Sequence, residues 1–324
     1  MDMKLTKADV IIAQSHGVVL PAVIHRAGKR AHQRFVEFFA ANIRNKGTRR
    51  VYALAVGRFM EWCDDRGVEL SMVSPIVVAT YIEQLADSLS APTVKLHLAA
   101  IRRCFDFLVT GQVMPLNPAA AVRGPKHVVL KGKTPVLSAS EARQLLDGIN
   151  TNVIIGLRDR ALIGTLVYSF ARVSAAVSMN VDNLFWQRRR LWFRLYEKGS
   201  KYHEVPAHHH AEAYLQDYLQ AAGISEQLKG PLFRTIGPRK RLSLRRMSRV
   251  DVYRMIQRRA KQVGLSTRVC CHTFRATGIT AYLENGGQLE HAQKIACHSS
   301  VRSTKLYDRT SDAITLDEIE KIRI

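Results

Sequence analysis

The second half of the chain carries side chains suited to phosphoryl transfer: Arg172, Lys198 with Lys201, His272 and Arg275 as H-x-x-R, His298 and Tyr307. Cutting a phosphodiester requires that charge on the non-bridging oxygens be offset, that a nucleophile reach phosphorus, and that the departing oxygen receive a proton. A planar guanidinium binds phosphate through paired hydrogen bonds, so two arginines can hold both oxygens of one group. A tyrosine hydroxyl can form a covalent bond to phosphorus. Enzymes that use metal for this chemistry hold it with clustered carboxylates, whereas acids here are scarce and scattered. On spacing alone a plainer account stays open. H-x-x-R recurs by chance, and a tyrosine flanked by charge, as in the run from Lys305 through Tyr307 to Arg309, is ordinarily a surface residue.

The charge of the whole chain fits such a substrate. Its 324 residues include 49 Lys and Arg against 27 Asp and Glu, a net of +22, and 47% are hydrophobic. That apolar content excludes a disordered chain. So large a charge without a polyanionic partner would be self-repulsion, so nucleic acid is the first expectation and an anionic membrane surface the second. The membrane option weakens because the apolar stretch from Ala8 to Ile24 is interrupted by Asp9, Gln14, Ser15, His16 and Pro21. It suits neither a signal-peptide core nor a membrane span. The excess is +7 over residues 1–130 and +15 over 131–324, so both halves are expected to face the polyanion. The densest run, Arg234 to Arg268, holds twelve basic residues and Asp251, with Val252, Met255, Ile256 and Val263 at helical spacing. It reads as a folded basic surface. Five cysteines without a secretory signal fit free thiols in a reducing cytoplasm. Cys270-Cys271-His272 with Cys297-His298 matches no common structural zinc spacing. The run His208 to His210 reads as a loop or helix start, and no metal is expected.

Several elements must position these groups. Thr48 is placed to cap a helix whose Tyr52, Val56, Phe59 and Cys63 form one face. Ser74-Pro75 opens a helix through about Leu85. Val94, Leu98, Ile101, Phe105 and Leu108 form the cleanest stripe, with Lys95, Arg102 and Arg103 off that face. Thr110 to Pro135 has linker composition. Ser138 to Glu141 is a capping box opening a helix with Ala142, Leu145 and Leu146. Ile154 to Phe170 is helical in pattern. Leu184 to Pro206 reads as a three-stranded antiparallel meander with turns at Gln187–Arg190 and Lys198–Lys201. From Ala211 to the end the pattern is helical throughout.

The local sequences carry a resemblance to a known family. Cys271-His272-Thr-Phe-Arg275, the helix running to Asn285-Gly286, and Ala296-Cys297-His298-Ser followed by Tyr307 resemble the signature of the tyrosine recombinases, the phage integrase family. Arg158-Asp-Arg-Ala-Leu ending at Arg172-Val-Ser looks like its first arginine box. Glu197-Lys198-Gly-Ser-Lys201 before Glu204-Val-Pro206 looks like its β-hairpin lysine motif. The likeness runs from about Ala41 to Tyr307. Three positions depart from the pattern: the acid three after the first arginine is Ala175, the histidine after the second arginine is Ala276, and the glycine before the late histidine is Cys297.

The resemblance implies a mainly α fold. A helical SAM-like core-binding domain would join an α+β catalytic domain with a small three-stranded antiparallel sheet, the DNA breaking-rejoining fold. The expected layout is an N-terminal extension at 1–30, the core-binding domain at 31–115, a linker at 116–132 and the catalytic domain at 133–324. The extension is too short for the separate arm-type DNA-binding domain that some integrases carry. Carried over box by box, Arg172 and Arg275 would clamp the scissile phosphate, and His298 would hydrogen-bond it. Lys198 would be the general acid for the 5′-hydroxyl, with Lys201 the less favoured holder of that role. His272 would take part in proton transfer with the tyrosine, and Tyr307 would form a 3′-phosphotyrosyl bond. Lys95, Arg102, Lys201, Arg241, Arg245 and Arg246 are the expected DNA-backbone contacts. No cofactor is implied. The expected partner is double-stranded DNA, held by a homo-tetramer on two recombination sites, with a monomer or weak dimer off DNA, in the cytoplasm on the nucleoid. A Thr315-x-x-Glu318 box with Leu316, Ile319 and Ile322 reads as a tail helix that either packs on its own domain or, as the resemblance implies and as is slightly favoured, docks into a neighbouring protomer. The rivals are a type IB topoisomerase-like nicking-closing enzyme and a DNA-binding protein whose catalytic set is a relic.

Overall fold

The computed structural model describes residues 20–129, 132–197, 199 and 201–308. The expected tail helix and Lys198 lie outside the described residues. The chain divides into two compact units, Met1–Val128 and Val129–Ile324.

The first unit is helical. Its helices are α1 (Ala22–Arg26), α2 (Lys29–Glu37), α3 (Lys46–Asp64), α4 (Pro75–Ser88) and α5 (Ala91–Thr110). Asn45, rather than Thr48, caps α3, its side chain accepting from Thr48 N at 3.0 Å. Both residue types satisfy the free donors of a first turn, and using the earlier one starts the helix nearly a turn sooner. Pro75 sits in the first turn of α4 behind Ser74. The stripe from Val94 to Leu108 is buried, together with His97 and Cys104. Val23 and Ile24 belong to this same core, so the unit starts before residue 31. At its other end, Met114, Ala119 and Val122 also join it. Part of the linker-like segment is therefore packed rather than loose.

The second unit is mixed. The capping box forms as read: Ser138 Oγ accepts from Glu141 N at 3.1 Å and Glu141 Oε2 accepts from Ser138 N at 2.9 Å, opening α6 (Ala139–Asp147). Then come α7 (Ile154–Tyr168), α8 (Val173–Ser178), β1 (Leu184–Gln187), β2 (Arg190–Glu197) and β3 (Lys201–Pro206). The strands form the expected antiparallel meander in the order β1-β2-β3. The β1–β2 turn has two residues of positive φ, Arg188 and Arg189, the backbone that matches strand twist in a two-residue hairpin. Gly199, at φ +79°, turns the β2–β3 end, where Glu197 pairs with Lys201.

After α9 (His209–Ala222) the structure departs from the all-helical expectation. A second antiparallel hairpin, β4 (Arg234–Ile236) and β5 (Leu242–Arg246), precedes α10 (Arg249–Gln262). Arginines at 239, 241, 245 and 246 leave too few apolar residues for a period of two to show. The unit ends with α11 (Cys271–Glu284), α12 (Leu289–Ile295) and α13 (Val301–Lys305). Helix α11 lies close against α7. A side chain at Gly278 would collide with the Val167 carbonyl oxygen and come within 2.9 Å of the Phe170 ring.

Candidate active site

The chemistry-bearing residues come from several helices and strands and from the segments that follow them. Helix α11 places His272 and Arg275 one turn apart on the same side. Arg275 is fully buried, with Nη1 donating to the Phe170 carbonyl and Nη2 to Ala296 O at 2.5 Å. Phe170 has φ +52°, a left-handed turn at the end of α7 that aims this carbonyl inward. The buried Nε of Arg275 has no hydrogen-bond partner among the described residues. An orphan donor of this kind costs stability unless a ligand takes it. Burial first, then repulsion from Arg172, pushes the Arg275 pKa down to about 10, leaving it charged at neutral pH.

Arg172 caps the start of α8 with extended backbone, and its side chain is 30% exposed. Its backbone N–H donates to Glu197 Oε1 at 3.0 Å and its Nη1 to Glu197 Oε2 at 2.6 Å. The same carboxylate lies 3.7 Å from Arg275 Nη1. Glu197 thus links the two arginines.

Tyr307 follows α13 and packs against the small core of Phe170, Ile279, Leu283, Ala292 and Ala296. Its carbonyl accepts from Thr280 Oγ1 at 2.9 Å, tying it to α11. Its hydroxyl lies 2.6 Å from His272 Nε2. Partial burial, followed by Arg275 and Arg172, lowers the His272 pKa, so its imidazole is neutral at pH 7 and able to accept the phenolic proton. Burial raises the Tyr307 pKa, while Arg275 and Arg172 pull the other way. The ring of His298 stacks on Tyr307 with centroids 5.8 Å apart and planes 7° from parallel. Its Nδ1 is 2.9 Å from Thr304 Oγ1. Burial and then the charges of Arg275, Arg172 and His272 push its pKa to about 3, so it too is neutral. Cys297, one residue earlier, adopts φ +49°. The family's glycine at this position answers to that left-handed backbone.

The structure therefore brings Arg172, His272, Arg275, His298 and Tyr307 together. Lys201 is exposed at the start of β3, opposite Glu197. The expected DNA contacts sort differently. Lys95, Arg241 and Arg245 are exposed. Arg102 instead donates to Ala119 O at 3.1 Å and Val122 O at 2.7 Å, pinning the segment after α5. Arg246 donates to Val177 O and Met179 O at 2.7 Å and to Asn180 Oδ1 at 2.5 Å, bracing the end of α8. Arg158, from the first arginine box, lies in a buried charge knot. Asp159 Oδ1 accepts from Arg158 at 2.6 Å, and its Oδ2 accepts from Arg259 at 2.7 Å and Arg258 at 3.2 Å. His208 caps α9, its Nδ1 accepting from His210 N at 3.2 Å, and its ring stacks on Tyr168.

Sequence reasoning passed over Glu197 as a member of the site. A signal was available: Leu191, Phe193, Leu195 and Glu197 share one phase of β2, and the first three are core residues. An acid on the buried phase of a strand needs a cationic partner.

Comparison with known proteins shows the family of the chain. Residues 135–313 match the phage integrase family, and residues 33–112 match the N-terminal SAM-like domain of phage integrases. The first match alone spans more than half of the chain. The chain belongs to the phage integrase family and is a tyrosine recombinase. It is 28% identical to tyrosine recombinase XerD of Chlorobaculum tepidum over 280 residues, 85% of this chain and 89% of that protein. It is 31% identical to tyrosine recombinase XerC of Chlamydia trachomatis serovar L2 over 234 residues, 71% of this chain and 70% of that protein. The fold matches XerH recombinase bound to a palindromic difH substrate after cleavage, with TM-score 0.70, 16% identity, and 97% and 94% of the two chains covered. It also matches a lambda integrase tetramer on a Holliday junction, with TM-score 0.65, 17% identity, and 94% and 83% covered. No helix among the described residues is long and apolar enough to cross a membrane.

Proposed function

We propose that this tyrosine recombinase cuts and rejoins DNA at specific sites, with the site residues in the following roles. Arg172 and Arg275 hold the non-bridging oxygens of the scissile phosphate. His272 takes the phenolic proton as Tyr307 Oη attacks phosphorus. The bond from phosphorus to the 5′-oxygen breaks, that oxygen leaves as a 5′-hydroxyl with a proton from Lys198, and a 3′-phosphotyrosyl bond remains. Rejoining reverses each transfer: an incoming 5′-hydroxyl attacks, and the phenolate leaves and regains its proton. The covalent bond conserves the energy of the broken phosphodiester, so no external energy source is needed. Each positioned acid or base contributes about 10²–10⁴-fold in rate.

The observation that carries this reading is the 2.6 Å contact between Tyr307 Oη and a neutral His272, beside two arginines bridged by one carboxylate. Duplex DNA is the partner. The assembly is a homo-tetramer on two sites, built from monomers or weak dimers, with Lys95, Lys201, Arg241 and Arg245 on the backbone. Integration or excision of a mobile element, or resolution of a plasmid, is the setting. A supercoiled plasmid carrying two copies of the site tests this directly. Resolution into two circles is expected. Relaxation of a one-site plasmid without any exchange between two sites would instead mark a nicking-closing enzyme acting alone.

A further inference from the structure

We infer that Glu197 is the positioning carboxylate of this active site, taking over at the end of β2 the place that the family's acid holds three residues after the first arginine. The inference rests on the recombinase reading above and assigns a role to a residue that reading leaves out. Two observations meet here. The usual position of the acid is Ala175, fully buried and without a polar atom in its side chain. The side chain of Glu197 is 1% exposed and gives both of its oxygens to the arginine pair. It accepts from the Arg172 main-chain N–H at 3.0 Å and from Arg172 Nη1 at 2.6 Å, and it stands 3.7 Å from Arg275 Nη1.

This bonding does more than neutralise a buried charge. Two guanidiniums aimed at one phosphate repel each other, and a carboxylate between them lets both stay close without a ligand. The bond to the Arg172 backbone also fixes where α8 begins, and so where its guanidinium emerges. Strand pairing holds Glu197 itself, opposite Lys201 in the β2–β3 ladder. The acid has moved to another element while its partners have stayed in place. Loss of the usual acid at 175 is therefore no mark of a relic.

The test uses the full-length protein and a nicked duplex in which cleavage traps the covalent adduct. The wild type must first give an adduct that Tyr307→Phe abolishes; if it gives none, the recombinase reading itself fails. Given that adduct, Glu197→Gln should slow its formation about ten- to a hundredfold, less than loss of a direct oxyanion donor, with DNA affinity within about threefold. Glu197→Asp, which retains the charge on a shorter arm, should melt with the wild type and cleave more slowly than it. A second substrate carries sulfur at the 5′-bridging position, and its thiolate leaves without a proton because thiols are far more acidic than alcohols. If Glu197 acts through the arginines, Glu197→Gln stays equally impaired on this substrate. Cleavage by both variants within twofold of wild type would overturn the proposal. So would recovery on the sulfur substrate, which would mean that Glu197 serves proton donation to the leaving group.

Discussion

Partial burial, and then the cations around it, favour a neutral His272 that can serve as the proposed base. Its pKa lies below the ordinary imidazole value because of partial burial, Arg275 and Arg172, and that of Tyr307 lies above the ordinary phenol value because of burial. The neutral imidazole is therefore present above its ordinary pKa and is lost only as pH falls through the lowered one. Single-turnover cleavage should stay flat from pH 8 down to about 6.5, the ordinary imidazole value, and decline only below it; a decline centred higher would contradict this assignment. Cys297 offers a second check. Its left-handed φ of +49° strains a side chain with a Cβ, so Cys297→Gly should raise stability by about 0.5–1 kcal/mol, read as an upward shift in melting temperature. Arg172, His272, Arg275, His298 and Tyr307 are legible in sequence through the family resemblance of their local motifs, since residue type and spacing alone leave a plainer account open. Glu197 is not, because its partners are 25 positions away at Arg172 and further still at Arg275. Only the fold brings them together.

At the scale of elements, local signals decide what can be read. The capping box at Ser138 and the proline start at Pro75 are complete within a few residues, and both appear in the structure. The β4–β5 hairpin escapes notice because Arg234 and Arg246 interrupt its short apolar pattern, and because pairing across the turn is a tertiary fact. The start of α3 shifts to Asn45 because two capping residues compete within one turn. Helix α11 depends on a close crossing that composition does not show. Its Gly278 faces the Val167 carbonyl and the Phe170 ring, so Gly278→Ala should destabilise the second unit by about 1–3 kcal/mol in a denaturant melt. The same helix carries His272 and Arg275, so adduct formation at permissive temperature should fall as well. Unchanged stability would mean that the crossing is looser than described.

Across the whole molecule, the net charge of +22 resolves into separate jobs. Arg158, Arg258 and Arg259 converge on Asp159 inside the second unit. Arg102 and Arg246 brace main-chain carbonyls. Arg241 and Arg245 are exposed, as the proposed grip on DNA requires. Arg245→Ala should weaken binding to any duplex and lower the slope of log affinity against log salt by about 0.9. Arg246→Ala should chiefly lower the melting temperature, because its partners are left buried and unpaired. Equal effects of the two on salt dependence would contradict this division. Sequence alone treats all basic residues as one surface, since charge is counted by type while burial is decided by tertiary packing. Tyr307 as nucleophile is the centre of the proposed chemistry. Its most direct measurement is a nicked duplex incubated with the protein, denatured, and probed for DNA linked to the chain. Wild type should carry one 3′-linked strand through a peptide containing Tyr307, and Tyr307→Phe should carry none while binding DNA as before. An adduct that survives Tyr307→Phe, or one mapped to another residue, would contradict it.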